Sequence, residues 1–184
     1  AIDETMGANG LNPFVYIQEG ESHMRVYHQA LKLSRVEERF VDERRNLPLK
    51  NFALMTPAPT DRPAMLYYAM DDMERITRAA EQLRRVTDAT VSCYPDIFNE
   101  GIGNLEVMAR DVSKASAALR LKESLGADRL VVFGDNLNDL PMFDVADVAV
   151  AVGNAMPEVK AAADEVIGRN TEDAVALYLM HNLF

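Results

Sequence analysis

The sequence contains one cysteine, Cys93, which excludes an internal disulfide and a thiolate metal cluster within these residues. Cys93 stands in the run Thr90 to Pro95, where a buried, inert thiol in a strand is expected. No apolar run approaches the ~20 residues that span a bilayer. The opening residues, Ala1 to Thr5, carry neither the basic nor the apolar region of a secretory signal, so a cytoplasmic protein is expected. Basic charge is scarce: 19 Lys and Arg stand against 29 Asp and Glu, for a net charge of −10. That balance argues against nucleic acid and against an anionic membrane as partner, because both require a basic footprint. It leaves room for an anionic small substrate, since a bound divalent cation and a few local donors can reverse the sign of one pocket. The first half also lacks a Gly-rich phosphate loop, a metal-spaced His or Cys cluster, and a nucleophile beside a base.

What is present is ordinary in bulk. With 184 residues, 48% apolar and 26% charged, the chain can bury a core as one domain or two small ones. Ala1 to Pro13 contains Gly7, Gly10, Asn12 and Pro13 and reads as a connection. Phe14 to Gln18 and His23 to His28 read as a hairpin across Gly20, with Met24 and Val26 alternating with polar neighbours. His23 and His28 fall on opposite faces of an extended segment, so they form no metal pair there and are expected at the surface or rim. Leu33 to Arg45, with a narrow seam of Val36, Phe40 and Val41, suits a short helix on a sheet. Strands are expected at Asn51 to Met55, Ala64 to Met70, Val91 to Tyr94 and Leu105 to Met108. Asp71 and Asp72 precede an amphipathic helix bearing Met73, Ile76, Ala80 and Leu83, and carboxylates there read as caps.

After Met108 the pattern changes to alternating helices and buried strands, the mark of a parallel sheet with helices on its faces. A helix opens at Val112 to Lys114, with Ser113 as a plausible N-cap, and stops at Gly126. The apolar run Leu130 to Phe133 ends at Gly134, a second run Val148 to Val152 ends at Gly153-Asn154, and helices are expected from about Pro157 and from Thr171 to His181. Asn170 is the expected cap of the last of these, and His181 should meet its carboxyl-end dipole.

The densest chemistry lies in Gly134 to Met142, where Asp135, Asn136, Asn138 and Asp139 follow a buried strand. Open α/β sheets place their ligands just past the carboxyl ends of their strands. Two carboxylates four residues apart at such a turn, Asp135 and Asp139, suit a hard, oxygen-loving cation such as Mg2+. Capping of the next helix by Asn138 or Asp139 is the simpler alternative, but it accounts for neither Asp135 nor the carboxamide pair. Lys114 sits in the first turn of its helix, where the dipole favours anions. It is either a solvated lysine or one that holds an anion, such as a phosphoryl group beside the cation. Asn154 either joins this loop cluster or serves its own turn.

Val-Ser-Lys at 112–114, followed by a helix and then Phe-Gly-Asp-Asn-Leu-Asn-Asp-Leu-Pro-Met at 133–142, resembles the third and fourth motifs of the haloacid dehalogenase (HAD) phosphohydrolases. The closest likeness is to their Cof-type branch, with a type IIB cap, whose fourth motif reads Gly-Asp-x-x-Asn-Asp-x-x-Met. The run Ala151 to Lys160 and the Asn170 to Asp173 segment are similar to that branch as well. The resemblance implies an α/β fold: a Rossmann-like core with a parallel sheet, of which 105–184 is the C-terminal part, and an α+β cap at 1–104 with a leading connection. It further implies Mg2+-dependent hydrolysis of a small phosphorylated metabolite, such as a sugar phosphate, through an aspartyl-phosphate. In that scheme Asp135 is a metal ligand, Asp139 supports it from behind, Asn138 binds phosphoryl oxygens, and Lys114 binds the phosphoryl group and neutralises charge on it and on the nucleophile.

The sequence departs from the family pattern in one respect. The family nucleophile lies in an Asp-x-Asp motif after the first core strand, with a Ser or Thr motif after the next strand, and neither is found in these 184 residues. The chain alone is therefore expected to be inactive, with an N-terminal core segment expected as its missing partner in the complete protein. A phosphomutase using the same residues, or a non-catalytic binding or regulatory module that kept the fold, are the alternatives.

Overall fold

A computed structural model describes residues 1–182, which fall into two compact units, Ala1–Asp111 and the chain from Val112 onward. The first unit is built on a six-stranded sheet and the second on a three-stranded one.

In the first unit, β1 (Phe14–Glu19) and β2 (His23–His28) form the expected hairpin, with Gly20 at φ 70° making the turn. From β2 the chain crosses through α2 (Arg35–Arg44) to β3 (Lys50–Leu54), which lies parallel to β2. It returns on the other side of β1 as β4 (Leu66–Asp72), crosses through α3 (Met73–Val86) to β5 (Thr90–Pro95), and inserts β6 (Ile102–Met108) antiparallel between β4 and β5. The strand order is β3-β2-β1-β4-β6-β5. The two helical crossovers leave the hairpin in opposite directions. Because such crossovers are right-handed, they place α2 and α3 on opposite faces of the sheet. The packing agrees: Ile76, Ala79, Ala80 and Leu83 of α3 are buried against Ala69, Leu105 and Val107, while Phe40 and Val41 of α2 are buried with Phe14, Tyr16, Val26 and Met70. Complete burial of Ile76 and Leu83 contributes about 1.5–3 kcal/mol each.

Four sequence expectations change in this unit. Residues 1–13 are not merely a connection, since Ile2–Ala8 forms a helix, α1. Its only fully buried residue, Met6, packs in the same cluster as Ile76 and Leu83, and no side chain caps its start. A helix this short is held by packing, which a local reading does not see. His28 is not at the rim. It shares a face with Met24 and Val26, stacks on Phe14 at 4.3 Å between ring centroids, and is fully covered. Cys93 is half-buried, with the Arg84 guanidinium 3.7 Å from its Sγ. The division between units falls after Asp111 and not at 104/105, because Leu105 to Met108 belongs to β6 and pairs on both sides within the first sheet.

In the second unit, α4 (Lys114–Leu125) begins at Ser113, whose hydroxyl accepts from the Ser116 amide, and ends at Gly126 in the left-handed conformation at φ 61°. Then follow β7 (Val131–Gly134), α5 (Leu140–Phe143), β8 (Val148–Ala151), α6 (Pro157–Ala162), β9 (Glu165–Val166) and α7 (Ala174–Asn182). The sheet is parallel throughout, in the order β7-β8-β9. Its continuous apolar runs serve both faces. Val132, Ala149 and Ala151 pack with Phe143 and Val159, while Val131, Phe133, Val148 and Val150 pack with Tyr178. The expected single helix over 171–181 is broken: a 3-10 turn occupies Asn170–Glu172, and Asp173 at φ 53° separates it from α7.

Candidate active site

The polar cluster gathers at the carboxyl ends of β7 and β8. Gly134 ends β7 and the chain turns at once into a 3-10 segment, Leu137–Asp139. A Cβ on Gly134 would stand 2.7 Å from the Phe143 ring and 2.8 Å from Asp139 Cβ, so a side chain at 134 would push the turn off the strand. Asn136 caps the 3-10 segment, its Oδ1 accepting from the Leu137 amide at 2.7 Å. Asp139 closes the turn from the other end: its Oδ2 accepts from the backbone amides of Asp135 at 3.0 Å and Asn136 at 3.3 Å. The sequence offered Asn138 or Asp139 as the cap. The fold uses Asn136, the buried carboxamide that sequence reasoning left without a role, together with Asp139.

Lys114 reaches this turn from the first turn of α4. Its Nζ donates to Asp139 Oδ1 at 2.6 Å, across 25 residues of sequence. Asp139 is 5% exposed and both of its oxygens are engaged, one by the ammonium and one by two backbone N–H groups. It therefore acts as the brace that ties the lysine to the Asp135 backbone. More than half of the lysine side chain stays solvent-exposed, so the ion pair is worth far less than a buried one. Its value is positional: the ammonium that looked misplaced on the helix dipole is held at the strand ends. Asp135 and Asn138 are half-buried, and neither side chain enters a hydrogen bond or ion pair among the described residues. Asn154 belongs to the neighbouring loop for a structural reason, as its Oδ1 accepts from the Asn170 amide at 2.9 Å. His181 Nδ1 meets the Leu177 carbonyl oxygen at 2.6 Å, inside its own helix.

The donor set fits a hard cation only as a partial site. Among the described residues no three His, Cys, Asp or Glu side chains converge into a metal cage. Asp135 offers one carboxylate with its oxygens uncommitted, whereas both oxygens of Asp139 are already occupied. Mg2+ keeps several waters and is commonly held by one or two carboxylates plus substrate phosphate, so a single available carboxylate is compatible with it.

The second unit is thus a parallel sheet flanked by helices, with Lys114 tied through Asp139 to the Asp135 backbone at its strand ends, an α/β hydrolase-like arrangement whose family its relatives identify. Residues 8–179 match the family model for haloacid dehalogenase-like hydrolases. The chain belongs to that family. A 5-amino-6-(5-phospho-D-ribitylamino)uracil phosphatase of Bacillus subtilis, YcsE, is 39% identical over 88 residues, which is 47% of this chain and 35% of the relative. A phosphoglycolate phosphatase of Sulfurisphaera tokodaii is 40% identical over 72 residues, 39% of this chain and 31% of the relative. Among solved structures, a haloacid dehalogenase-like hydrolase from Bacteroides thetaiotaomicron superposes with a TM-score of 0.69 at 23% identity, over 100% of this chain and 65% of that one. The HAD subclass IIB sugar phosphatase BT4131 superposes at 0.70 with 18% identity, over 97% and 63%. The shared fold is thus that of the Cof-type branch, an α+β cap with part of a Rossmann-like core. The matched stretches span about a third of these two sequence relatives, and the chain spans under two-thirds of these solved structures.

Proposed function

We propose that this chain forms the cap and the charge-handling half of a phosphatase that hydrolyses a small phosphorylated metabolite, a sugar phosphate in the simplest case, with Mg2+ as cofactor. The observation that carries the reading is the chain of contacts from Lys114 through Asp139 to the Asp135 backbone, which leaves the Asp135 carboxylate uncommitted at the strand ends. Asp135 would hold the metal, which when bound supplies cationic stabilisation of the transferring phosphoryl group. Lys114 would bind and neutralise the same group, and Asp139 would keep that ammonium in place. The Asn138 carboxamide, with no partner among the described residues, would donate to a phosphoryl oxygen. Phosphoryl transfer asks mainly for such positioning and electrostatic stabilisation.

The attacking carboxylate, in an aspartyl-phosphate mechanism, would come from outside these residues, since no Asp-x-Asp sequence occurs in them. Two features of the second unit support a companion core segment. Among the described residues β7 pairs on one side only. Beside it lies an apolar groove of about 330 Å3 lined by Leu121, Leu125, Leu130, Val131, Phe133 and Leu179. The 184-residue chain alone is expected to release no phosphate. No helix among the described residues is long and apolar enough to cross a membrane.

The test is Mg2+-dependent release of phosphate from an aryl phosphate by the complete gene product. Asp135→Asn and Lys114→Ala should each lower kcat at least about a hundredfold. Unchanged turnover in both variants would sink the assignment, and turnover by the 184-residue chain alone would overturn the division of the site. A phosphomutase would instead return the phosphoryl group to product, with little free phosphate released.

A further inference from the structure

Lys114 stands on α4, and α4 is held to its unit mainly by its two ends. Ala115 is its one buried residue among those described, and none of its side chains enters either apolar cluster of the second unit. Its larger apolar residues Leu119, Leu121 and Leu125 remain exposed. A helix is ordinarily fixed on a sheet by an apolar stripe. Here an ion pair at each end takes that place. The first joins Lys114 Nζ to Asp139 Oδ1 at 2.6 Å. The second joins Lys122 Nζ to Asp147 Oδ2 at 2.5 Å. Lys122 lies in the last turn, where the helix dipole favours a cation. Asp147 is itself fastened to the sheet: its Oδ2 also accepts from the Leu130 amide at 2.7 Å, and its own amide donates to the Leu130 carbonyl at 2.9 Å. The Lys122 ammonium and the Leu130 amide hold the Asp147 carboxyl below the usual carboxylate range.

The two ties fall at opposite ends of β7. Leu130 stands just before its first residue, Val131, and Asp139 closes the turn that follows its last, Gly134. From Lys114 to Lys122 the helix rises about 12 Å, at about 1.5 Å per residue. From Leu130 to Gly134 the strand covers about 13 Å, at about 3.3 Å per residue. The spans match, so both ion pairs close at once on a straight helix and a straight strand. A single tie would leave α4 free to swing or slide about one point, whereas two fix its tilt and its axial position along β7. The place of the Lys114 ammonium beside the Asp135 turn is therefore set in part at the far end of the helix. The Lys122 and Asp147 side chains are 25% and 44% exposed, so their pair adds little to overall stability. What it governs is geometry.

We infer that Lys122 and Asp147 are positioning residues for Lys114: their ion pair sets the register of α4 on β7 that brings the Lys114 ammonium to Asp139. The consequence for turnover rests on the phosphatase reading, but the placement itself does not. The test follows the Lys114 side chain by NMR in the 184-residue chain labelled at lysine. Lys122→Met keeps the stem and removes the charge, and Asp147→Asn keeps an acceptor for the Leu130 amide while removing the ion pair. Each should move the Lys114 ammonium signal toward that of a free lysine, in the direction that Asp139→Asn moves it, with the Val132 and Val150 amide signals unchanged. Lys122→Arg keeps a cation within reach of Asp147 and should hold the Lys114 signal near its wild-type position. In the complete gene product Lys122→Met and Asp147→Asn should lower kcat roughly tenfold with KM changed less than about twofold, and Lys122→Arg should recover most of that loss. A pair with a purely structural role would lower the melting temperature and leave the Lys114 signal in place. The inference is overturned if that signal stays at its wild-type position in both Lys122→Met and Asp147→Asn, or if Lys122→Arg moves it as far as Lys122→Met does. An unchanged kcat beside a displaced Lys114 signal would overturn the consequence for turnover alone. Should Lys114→Ala leave turnover intact, the phosphatase reading fails while the NMR measurement still decides the placement.

Discussion

The two units treat their sheets differently. In the first, six strands of mixed direction carry helices on both faces, and the fully buried residues Met6, Phe14, Val26, Ile76 and Leu83 come from every layer. In the second, three parallel strands bury both faces, yet both edge strands, β7 and β9, pair on one side only among the described residues, and Leu121 and Leu125 stand 59% and 71% exposed beside β7. Polar groups also differ. The first unit sets a polar chain, Tyr68 to Asn104 to Asp96, within a sheet face, whereas the second gathers Lys114, Asp135, Asn138 and Asp139 at strand ends, where backbone amides are free to meet them. Mixed sheets can complete themselves through hairpins, whereas parallel sheets need crossovers and covered edges. The most completely buried side chains of this chain and its densest cluster of polar groups thus lie in different units.

Several substitutions break or sharpen that contrast. The largest effect is expected from Ile76→Ala, which opens a cavity in the first unit and should cost about 2–5 kcal/mol in chemical denaturation. If the units are independent, the Asp135 and Asn136 amide resonances stay unmoved in that variant. Gly134→Ala is the counterpart in the second unit. The added Cβ meets the Phe143 ring and Asp139 Cβ, and should cost about 1–3 kcal/mol while releasing Lys114 from Asp139. A Lys114 ammonium signal identical to wild type would show that the close approach is not required.

Acid should affect the first unit through Glu37. Burial raises the Glu37 carboxyl, but hydrogen bonding from His28 and Ser34 outweighs it, so its folded pKa lies below the ordinary carboxylate value. A depressed folded pKa means that this contribution is complete above the unfolded pKa and is lost as pH falls through the folded one. Stability measured down through the carboxylate range should decline less steeply in Glu37→Gln than in wild type, and parallel curves would refute the linkage. The smallest thermodynamic effect is expected from Leu121→Lys with Leu125→Lys. These exposed positions should change the stability of the isolated chain by less than about 0.5 kcal/mol while lowering its self-association in sedimentation.

The site was legible in the sequence where its signal was contiguous. Leu130 to Asp139 writes strand, close turn and helix start into ten residues, and Ser113 and Gly126 mark both ends of α4. Those readings rest on local chemistry: apolar continuity, a missing Cβ, a capping hydroxyl. What sequence reasoning missed had a weaker local signal or none. Asn136 and Asn138 are chemically the same, and only the pitch of the 3-10 turn assigns capping to one of them. His28 stood two residues beyond Val26 on the apolar face, so the alternation did carry a hint of its burial.

By itself, then, the sequence determined the secondary structure around the Asp–Asn turn, the parallel character of the second sheet and the identity of the groups available for chemistry, because these follow from neighbouring residues. Only the tertiary structure decided that β6 completes the first sheet, that α1 exists, that Asp139 braces Lys114 while the Asp135 carboxylate has no partner among the described residues, and that Tyr68, Asn104 and Asp96 form one hydrogen-bonded chain. Those bring together residues from 8 positions apart, Asp96 and Asn104, to 77, Met6 and Leu83 of one cluster, and nothing local in the chain specifies which distant partner will meet which.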